Sequence, residues 1–465
     1  MSDKHKETKP FGLYDKLGYM FGDFGNDFTF ILSSTFLLKF YTDIMGVSAG
    51  IVGTMMMVAR FVDAFTDVTM GQIVDRSPSG PRGKFAPWLL KISGPVALAS
   101  FLMYAVWFRN MSLGFKIFWM FFTYLLWGSV FYTAVNIPYG SMASAISGEP
   151  KDRASLSNWR SIGAALASLV IGAGLPQIVY YTDAAGNMQI SGTRMAVAAA
   201  ACSVGAVICY FLCYFMTTER IKVDTIKGRF SLTELLKSLV QNRALIGIVV
   251  SALLMLLAQL SLSNMGSYIY PNYFGNIQAM SLVAVLGTVI TLALAPFIVP
   301  LATATGKKEL SIIGAIISAG ALIIAYIIHT KNVWVWVALY SVSYIGMAIF
   351  MLISWAMITD VIDDTQVRTG SRSDGTIYSV YSFARKLGQA GASGLTGLFL
   401  SMIGYSTETA FDTVVVNRIY DITCLVPAIS FVLLAISMVF LYPLNKKRVE
   451  ENVRILKQRA GDNGK

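Results

Sequence analysis

The sequence predicts an all-α polytopic membrane protein whose twelve transmembrane helices form two bundles of six. Of its 465 residues, 55% are hydrophobic and 14% are charged, whereas soluble domains have about 45–50% apolar and about 25% charged residues. Its apolar stretches are about 20 residues long, enough for a helix to cross a hydrocarbon core of about 30 Å. The longest internal polar segment leaves six such stretches on either side.

The predicted spans are separated by ordinary helix-breaking signals. Gly46, the Ser-Pro-Ser-Gly-Pro run at 77–81 and Gly306 each lie between two apolar stretches. The fourth and seventh spans are longer than a bilayer requires, so we expect them to tilt or to extend into water. The predicted spans are 18–41, 48–74, 87–108, 114–146, 155–180, 194–217, 244–272, 278–303, 309–329, 333–358, 376–404 and 420–442.

Basic residues are distributed unequally between the two sides of this arrangement. The two tails and the even-numbered loops hold 26 of the 37 Lys and Arg residues, whereas the odd-numbered loops hold five. Because Lys and Arg are enriched in cytoplasmic loops, this asymmetry predicts that both termini are cytoplasmic. The same distribution explains the net charge of +11 without nucleic acid as a partner. The polar start, MSDKHKETKP, leads directly into a full-length span, so we expect no cleaved signal peptide.

The polar segment at 218–243 divides the chain into an amino-terminal bundle at 1–217 and a carboxy-terminal bundle at 244–465. Two six-helix halves joined by a cytoplasmic linker are the layout of major facilitator transporters, which bind substrate midway between the halves.

The loop between the second and third spans favours the same layout. It contains Gly71-x-x-x-Asp75-Arg76 followed by Pro81-Arg82-Gly83-Lys84, a variant of the facilitator cytoplasmic loop motif. We expect Asp75, Arg76 and Arg82 to serve as gating or structural charges.

The first span carries two carboxylates. A charged side chain at the centre of a transmembrane helix costs at least about 2.5–3.5 kcal/mol, so such residues mark polar cavities unless they lie near an end. Asp23 lies near the cytoplasmic end and is either functional or simply hydrated. Asp27 lies deeper, and we interpret it as a cavity-facing substrate residue.

The second span combines Arg60, Asp63 and Asp67 at spacings of three and four, which place them on one helical face. Two carboxylates with one arginine are net negative and favour a bound cation or proton. Thr133 and Asn136 of the fourth span could add neutral oxygen ligands, a set that suits Na⁺. The alternative is an intrahelical salt bridge that serves only packing.

The fifth span places Arg160 after Asn158-Trp159. Its guanidinium could pair with Asp27 or donate to sugar hydroxyls, or it could snorkel to the cytoplasmic surface. Tyr139 and Tyr381 are candidates to cover the apolar faces of a sugar ring.

The eleventh span carries two adjacent cations, Arg385 and Lys386. We expect one of them to line the cavity and the other to pair with Asp360 or Asp363 at the end of the tenth span.

Several enzyme signatures are absent from the sequence. It has no P-loop, no G-x-S-x-G and no H-E-x-x-H string, and its two histidines are His5 and His329. Its four cysteines all fall in apolar segments, which favours buried packing over a disulfide framework. We therefore expect neither covalent chemistry nor a cofactor.

Six strings along the whole chain resemble the glycoside–pentoside–hexuronide:cation symporter family, which includes melibiose permease and bacterial glucuronide permeases. They are 22–25 (GDFG), 40–43 (FYTD), 58–67 (VARFVDAFTD), 82–88 (RGKFAPW), 136–141 (NIPYGS) and 385–390 (RKLGQA).

The resemblance implies that Asp63 and Asp67 bind the coupling cation, with Thr133 contributing. Asn136 stands where melibiose permease has an acidic residue. This departure leaves Na⁺ and H⁺ both open as the coupling ion and favours H⁺ slightly.

The resemblance also implies that Asp27, Arg160 and Lys386 bind the sugar. Gly140 stands where melibiose permease has a tryptophan, which argues against galactoside recognition of that kind. The Asn-Ile-Pro-Tyr-Gly string is more similar to the glucuronide and pentoside members.

These expectations amount to H⁺- or Na⁺-coupled symport of a glycoside by alternating access. We expect a monomer in the cytoplasmic membrane of a bacterium, with substrate, cation and lipid bilayer as its partners. A non-transporting sugar sensor or receptor on the same scaffold and a facilitator-type efflux carrier remain alternatives. Asp63 and Asp67 favour transport, because a receptor needs no coupling ion.

Overall fold

The computed structural model of the chain describes residues 10–221, 242–370 and 374–462. Contacts between residues divide the chain into two compact units, Met1–Arg229 and Phe230–Lys465. Most of the predicted linker, residues 222–241, lies outside the described residues.

Between residues 10 and 221, the first unit contains six long helical segments, two of which change to a π-helical turn partway along. In addition, a short antiparallel hairpin pairs Tyr180 with Ile190. Helix α1 packs against α6 and α8, and α2 packs against α5. The elements are α1 (Leu13–Asp43), α2 (Ala49–Arg76), α3 (Ala86–Leu102), α4 (Leu113–Leu125) continued by a π-helix (Leu126–Tyr132) and α5 (Thr133–Ile146), α6 (Pro150–Leu169) continued by a π-helix (Val170–Gly174) and α7 (Leu175–Val179), β1 (Tyr180–Thr182), β2 (Met188–Ile190) and α8 (Gly192–Met216).

In its described residues, the second unit contains six further long helices and an amphipathic helix, Lys446–Asp462. Asn242, Asn276 and Asn332 each cap a helix start by accepting a backbone N–H with the side-chain oxygen. The elements are α9 (Arg243–Tyr268) continued by a π-helix (Ile269–Tyr273), α10 (Ile277–Thr305), α11 (Lys307–Ile328), α12 (Val333–Thr369), α13 (Asp374–Met402), α14 (Thr413–Phe440) and α15 (Lys446–Asp462).

Ten of the helical segments in the described residues are long and apolar enough to cross a membrane. The other two long helices are α1 and α13, with 31 and 29 residues. These two carry the candidate residues Asp27, Arg385 and Lys386, whose polarity lowers the hydropathy of the helices. The all-α polytopic fold predicted from the sequence is confirmed.

The structure differs from the prediction mainly at helix ends. The predicted tenth span stops at residue 358, whereas α12 continues to Thr369. Its last turns are held by ion pairs, because Asp360 binds Lys307 and Asp364 binds Arg448. Periodicity within the apolar stretch could not reveal this continuation, which depends on partners distant in sequence.

Candidate functional site

A buried polar group of the first unit is centred on Asp63 of α2. The hydroxyl of Ser129 donates to Oδ1 of Asp63 at 2.5 Å, and Nη1 of Arg60 donates to Oδ2 at 3.3 Å. Gly128 lies beside this carboxylate, since a Cβ there would be 3.6 Å from Oδ1, an ordinary van der Waals contact. Both Asp63 and Ser129 are buried, so a charge-assisted network holds the carboxylate in one orientation.

Asp67 lies one turn further along α2 and accepts a hydrogen bond of 2.9 Å from Oγ1 of Thr133. The π-helix Leu126–Tyr132 immediately precedes Thr133, and π-helical turns are frequent at functional sites. Ser129 and Thr133, four residues apart, therefore contact the two carboxylates in succession. The structure brings Asp63, Asp67 and Thr133 together, as predicted.

Asn136, the fourth predicted cation ligand, is half-buried and makes no hydrogen bond with the described residues. Ser129, rather than Asn136, is the second neutral side chain that contacts the two carboxylates. Ser129 could have been found from the sequence, because it lies one helical turn before Thr133.

Arg160 of α6 pairs with Asp23 rather than with Asp27. Its Nε lies 2.9 Å from Oδ1 of Asp23. Asp23 is therefore ion-paired and not simply hydrated. Helices α1 and α6 approach closely at Gly163, where a Cβ would lie only 2.5 Å from the carbonyl oxygen of Met20. Arg160 keeps 43% of its side chain exposed, so the pair remains accessible from one side.

Asp27 is half-buried one turn from Asp23 and has no hydrogen bond or ion pair with the described residues. Tyr132, at the end of the π-helix, lies within electrostatic range of both Asp27 and Arg60. Its ring stacks on Phe30 at 5.9 Å between centroids. The Arg60 guanidinium lies 5.1 Å from the centre of the same Phe30 ring. An aromatic contact thus joins Arg60 to Tyr132, a residue that the sequence analysis missed.

Tyr139 does not present its ring to a ligand in this structure. It is 0% exposed, its ring stacks on Tyr19 at 4.6 Å, and its hydroxyl donates to the Tyr19 carbonyl at 2.7 Å. The Arg160 guanidinium lies 5.5 Å from the Tyr139 ring. Tyr139 therefore packs beneath the Arg160 guanidinium and is not accessible to a sugar ring, which corrects its predicted role as a cover for the sugar.

Tyr381 of α13 is likewise 0% exposed, so its predicted stacking on a sugar ring is also corrected. Its ring meets Trp355 edge-on at 5.1 Å. The Arg385 guanidinium lies 5.7 Å from the Trp355 ring and 5.9 Å from the Tyr381 ring. Arg385 and Gln259 line a cavity of about 80 Å³, well below the ~300 Å³ typical of the smallest ligand pockets.

Asp360 is bound by Lys307 at 2.6 Å. The prediction that Asp360 pairs with Arg385 or Lys386 is therefore wrong. Lys307, the first residue of α11, lies beside the end of α12 and binds Asp360 instead. Asp363 and Lys386 are both half-buried, and the predicted pairing of Asp363 stays a prediction.

The loop motif between α2 and α3 is held by a residue outside it, Glu219. Its carboxylate accepts the backbone N–H groups of Lys84, Phe85 and Ala86 at 2.7–2.9 Å. These amides are at the start of α3, where a helix favours negative charge.

Three of the motif charges lie on the surface, whereas Lys84 is buried. Asp75 and Arg76 are exposed at the end of α2, and Nζ of Lys84 donates to the Asp75 carbonyl at 2.8 Å. The Arg82 guanidinium lies 5.1 Å from the ring of Tyr214. Their predicted gating role stays a prediction.

Comparisons with known proteins agree with this architecture. The family model described as MFS/sugar transport protein matches residues 18–446. The chain is 31% identical to an uncharacterized symporter of Bacillus subtilis over 456 residues, with 97% of each chain covered. It is 32% identical to a glucuronide carrier protein homolog of Escherichia coli over 439 residues, with 94% of each covered. The isoprimeverose transporter of Lactiplantibacillus pentosus is 29% identical over 461 residues, which cover 96% of this chain and 94% of the transporter.

Solved structures share the fold at much lower identity. A nucleoside transporter matches with a TM-score of 0.63 at 16% identity, over 92% of this chain and 99% of the other. A D-xylose-proton symporter matches with a TM-score of 0.62 at 14% identity, over 93% and 97%. These likenesses show the major facilitator fold alone. Because the family model and the relatives cover nearly the whole chain, the protein belongs to the MFS/sugar transport family and, within it, to the glycoside–pentoside–hexuronide:cation symporters, which are multi-pass membrane transporters of sugars.

Proposed function

We propose that the protein imports a glycoside by cation symport, that Asp63 and Asp67 bind the coupling ion, and that Asp27 and Arg160 bind the sugar. The observation that carries the proposal is the pair of carboxylates on α2. Asp63 accepts a hydrogen bond from Ser129, and Asp67 accepts one from Thr133, four residues further along the neighbouring helical segment. A non-transporting receptor on the same scaffold would have no use for such a site.

The ion assignment rests on charge balance. Arg60 offsets one of the two carboxylates, so Arg60, Asp63 and Asp67 together carry one net negative charge that a single monovalent cation neutralises. The surrounding groups offer only oxygen ligands, which suits Na⁺, but the helical segment supplies no third carboxylate. We propose H⁺ as the ion, because protonation of one carboxylate neutralises the group without further ligands.

The sugar assignment rests on Asp27 and Arg160. Asp27 is the carboxylate of this group with no described partner, so its oxygens are available to sugar hydroxyls. Arg160 is held beside it by Asp23 and remains partly exposed. Hydrogen bonds from hydroxyls to an ionised group are worth about 1.5–3 kcal/mol each. Together the two residues would provide an acceptor and a donor for neighbouring hydroxyls.

The substrate class is inferred from the relatives, two of which are named for a glucuronide and for isoprimeverose. We propose a glucuronide or a pentose-containing glycoside, with Lys386 pairing the carboxylate if the substrate is acidic. In Lys386→Ala, a loss of affinity confined to acidic sugars would indicate a hexuronide. Equal loss for neutral glycosides would indicate a pentoside or hexoside.

The decisive experiment is uptake by proteoliposomes of radiolabelled pentosides, hexosides and glucuronides, under an imposed proton gradient or an imposed Na⁺ gradient. We expect uphill accumulation of one class with the proton gradient, and none in Asp27→Asn. Glu408→Gln, which neutralises an exposed carboxylate with no described partner, is the matched control. Normal transport of every glycoside by Asp27→Asn would refute the sugar site, and accumulation only with Na⁺ would refute the proton assignment.

A further inference from the structure

A guanidinium without an ionic partner lies in the second unit, at Arg385 of α13. The side chain is half-buried and makes no hydrogen bond or ion pair with the described residues. Arg385 is about 16 Å along α13 from its start at Asp374. A charge this far inside a transmembrane helix is costly and marks a functional site unless a neighbour neutralises it. The described part of the unit therefore leaves the charge of Arg385 to be balanced.

Two aromatic rings hold this guanidinium without using its hydrogen-bond donors. Its carbon Cζ lies 5.7 Å from the centre of the Trp355 ring and 5.9 Å from that of the Tyr381 ring. Tyr381 is 0% exposed and meets Trp355 edge-on, so the rings also fix each other. A cation–π contact engages the face of a guanidinium, whereas its five N–H donors lie in the plane. The rings therefore support the cation and leave its planar fork free to bind an acceptor.

The cavity of about 80 Å³ that Arg385 lines is positively charged. Gln259 and Ser354 also line it. Gln259 is half-buried and makes no hydrogen bond with the described residues, so its amide N–H groups can donate to a ligand. The Ser354 hydroxyl already donates to the Met351 carbonyl at 3.1 Å. No acidic residue is among the described residues that line the cavity, so nothing there cancels the charge of Arg385.

The size and the walls of this cavity suit a carboxylate group. Its volume of about 80 Å³ equals that of two to three water molecules at about 30 Å³ each, which is too small for a sugar ring but sufficient for a carboxylate. Met255, Leu256 and Phe350 supply apolar walls, beside which a charge pair is stronger than in water. A carboxylate is planar and has two oxygens, so it can accept two parallel hydrogen bonds from a guanidinium.

We propose that Arg385, together with Gln259, binds the carboxylate of an acidic sugar and thereby makes the transporter select glycuronides over neutral glycosides. This inference rests on the proposed function and deepens it, because it commits the substrate to the acidic class. The guanidinium would donate to both carboxylate oxygens, and the Gln259 amide would donate to one of them. The contact proposed above for Lys386 adds a second positive charge, but a lysine is a point charge without the planar fork.

The test compares two ligands that differ only in the acid group. The dissociation constants of p-nitrophenyl β-D-glucuronide and p-nitrophenyl β-D-glucoside are measured on the purified full-length protein in detergent, by isothermal titration calorimetry. The first carries a carboxylate where the second carries a hydroxymethyl group. We expect the glucuronide to bind about tenfold to a hundredfold more tightly, as hydrogen bonds to a charged group predict.

Four variants assign this preference to the cavity. Arg385→Gln should bring the ratio of the two dissociation constants close to one. Arg385→Lys keeps the charge but not the fork and should lower the ratio only partly. Gln259→Leu removes a neutral donor and should weaken glucuronide binding about fivefold. The matched control is Lys331→Gln, since Nζ of Lys331 also lies over an aromatic ring of this unit, 3.8 Å from the centre of Tyr273; it should leave the ratio unchanged.

Equal or weaker binding of the glucuronide by the unaltered protein would overturn this inference, while import of a neutral glycoside would stand. A preference for the glucuronide that persists in Arg385→Gln would also overturn it. Thermal unfolding checks that each variant is folded, and if Arg385→Gln is not, an unchanged ratio in Arg385→Lys refutes the fork. Binding of neither ligand would overturn the inference, and only a further failure of every pentoside and hexoside would overturn the proposed function.

Discussion

Ser129 donates a hydrogen bond of 2.5 Å to Asp63, although the two residues are 66 positions apart in the sequence. The other oxygen of the same carboxylate accepts from Arg60. Both carboxylate oxygens are thus engaged by donors from two helices. Such a buried carboxylate is held in one geometry, which an ion-binding group requires.

Removal of the Ser129 hydroxyl should strengthen proton binding at Asp63. In Ser129→Ala, Oδ1 of Asp63 loses its donor while the packing volume changes little, so the ionised carboxylate is less stabilised and takes up a proton more readily. A hydrogen bond to a charged group contributes about 1.5–3 kcal/mol, so the proton concentration for half-maximal uptake should fall by about tenfold or more.

Ser144→Ala is the matched control for this measurement. The Ser144 hydroxyl donates only to the carbonyl of Ser141 on its own helix. If both alanine variants show the same cation dependence, Ser129 does not orient an ion ligand.

Asp23 and Asp27 should respond differently to the same substitution. Asp23→Asn leaves Arg160 without its ion-pair partner and should lower the midpoint of thermal unfolding, because a half-buried guanidinium loses its counter-charge. Asp27 has no described partner, so Asp27→Asn should keep the midpoint and lose sugar binding. Thermal unfolding and sugar-binding titrations on both variants check this contrast. A large loss of stability in Asp27→Asn, with sugar binding intact, would reverse the two assignments.

Glu219 should stabilise the first unit through the start of α3. Glu219→Gln replaces a charged acceptor of three backbone N–H groups with a neutral one, at a helix end that favours negative charge. We expect a loss of about 1–2 kcal/mol, comparable to the loss of a strong helix cap, measured as reduced thermal stability.

Glu149→Gln serves as the control for Glu219, because Glu149 precedes α6 without a side-chain cap hydrogen bond. An unchanged midpoint in Glu219→Gln would show that a neutral acceptor satisfies the three amides equally well and that the charge of Glu219 does not stabilise the unit.

Phe30 should link cation binding to sugar binding. Its ring contacts both the guanidinium of Arg60 and the ring of Tyr132. In Phe30→Ala, we expect sugar affinity to depend less on the cation concentration, whereas Phe118→Ala, at a 60% exposed position, should leave that dependence unchanged. The measurement is the sugar dissociation constant with and without saturating cation. Full dependence in Phe30→Ala would exclude this contact as the link.

Local spacing accounts for what the sequence could predict of the site. Arg60, Asp63 and Asp67 share a face because the helical repeat places residues three and four apart together. Thr133 was predicted because its hydroxyl can act as a neutral oxygen ligand and because the family resemblance implies a threonine in the cation site. The helices themselves followed from uninterrupted apolar length, which depends on composition rather than on tertiary contacts.

Long-range packing accounts for what the sequence could not predict. Asp23 pairs with Arg160 because Gly163 lets α6 approach α1, a contact across more than a hundred positions. Tyr139 is covered by Tyr19 for the same reason. Asp360 binds Lys307 because α12 continues beyond the end of its apolar stretch at residue 358. No periodicity in a single segment encodes any of these pairs.

The most direct test of the account is sugar accumulation compared with sugar exchange in proteoliposomes that contain Asp67→Asn. Asp67 is assigned to the coupling ion and has no proposed contact with the sugar. We therefore predict that this variant exchanges sugar across the membrane but does not accumulate it above the external concentration under a cation gradient. Accumulation equal to that of the unaltered protein would contradict the claim that the carboxylates of α2 bind the coupling ion.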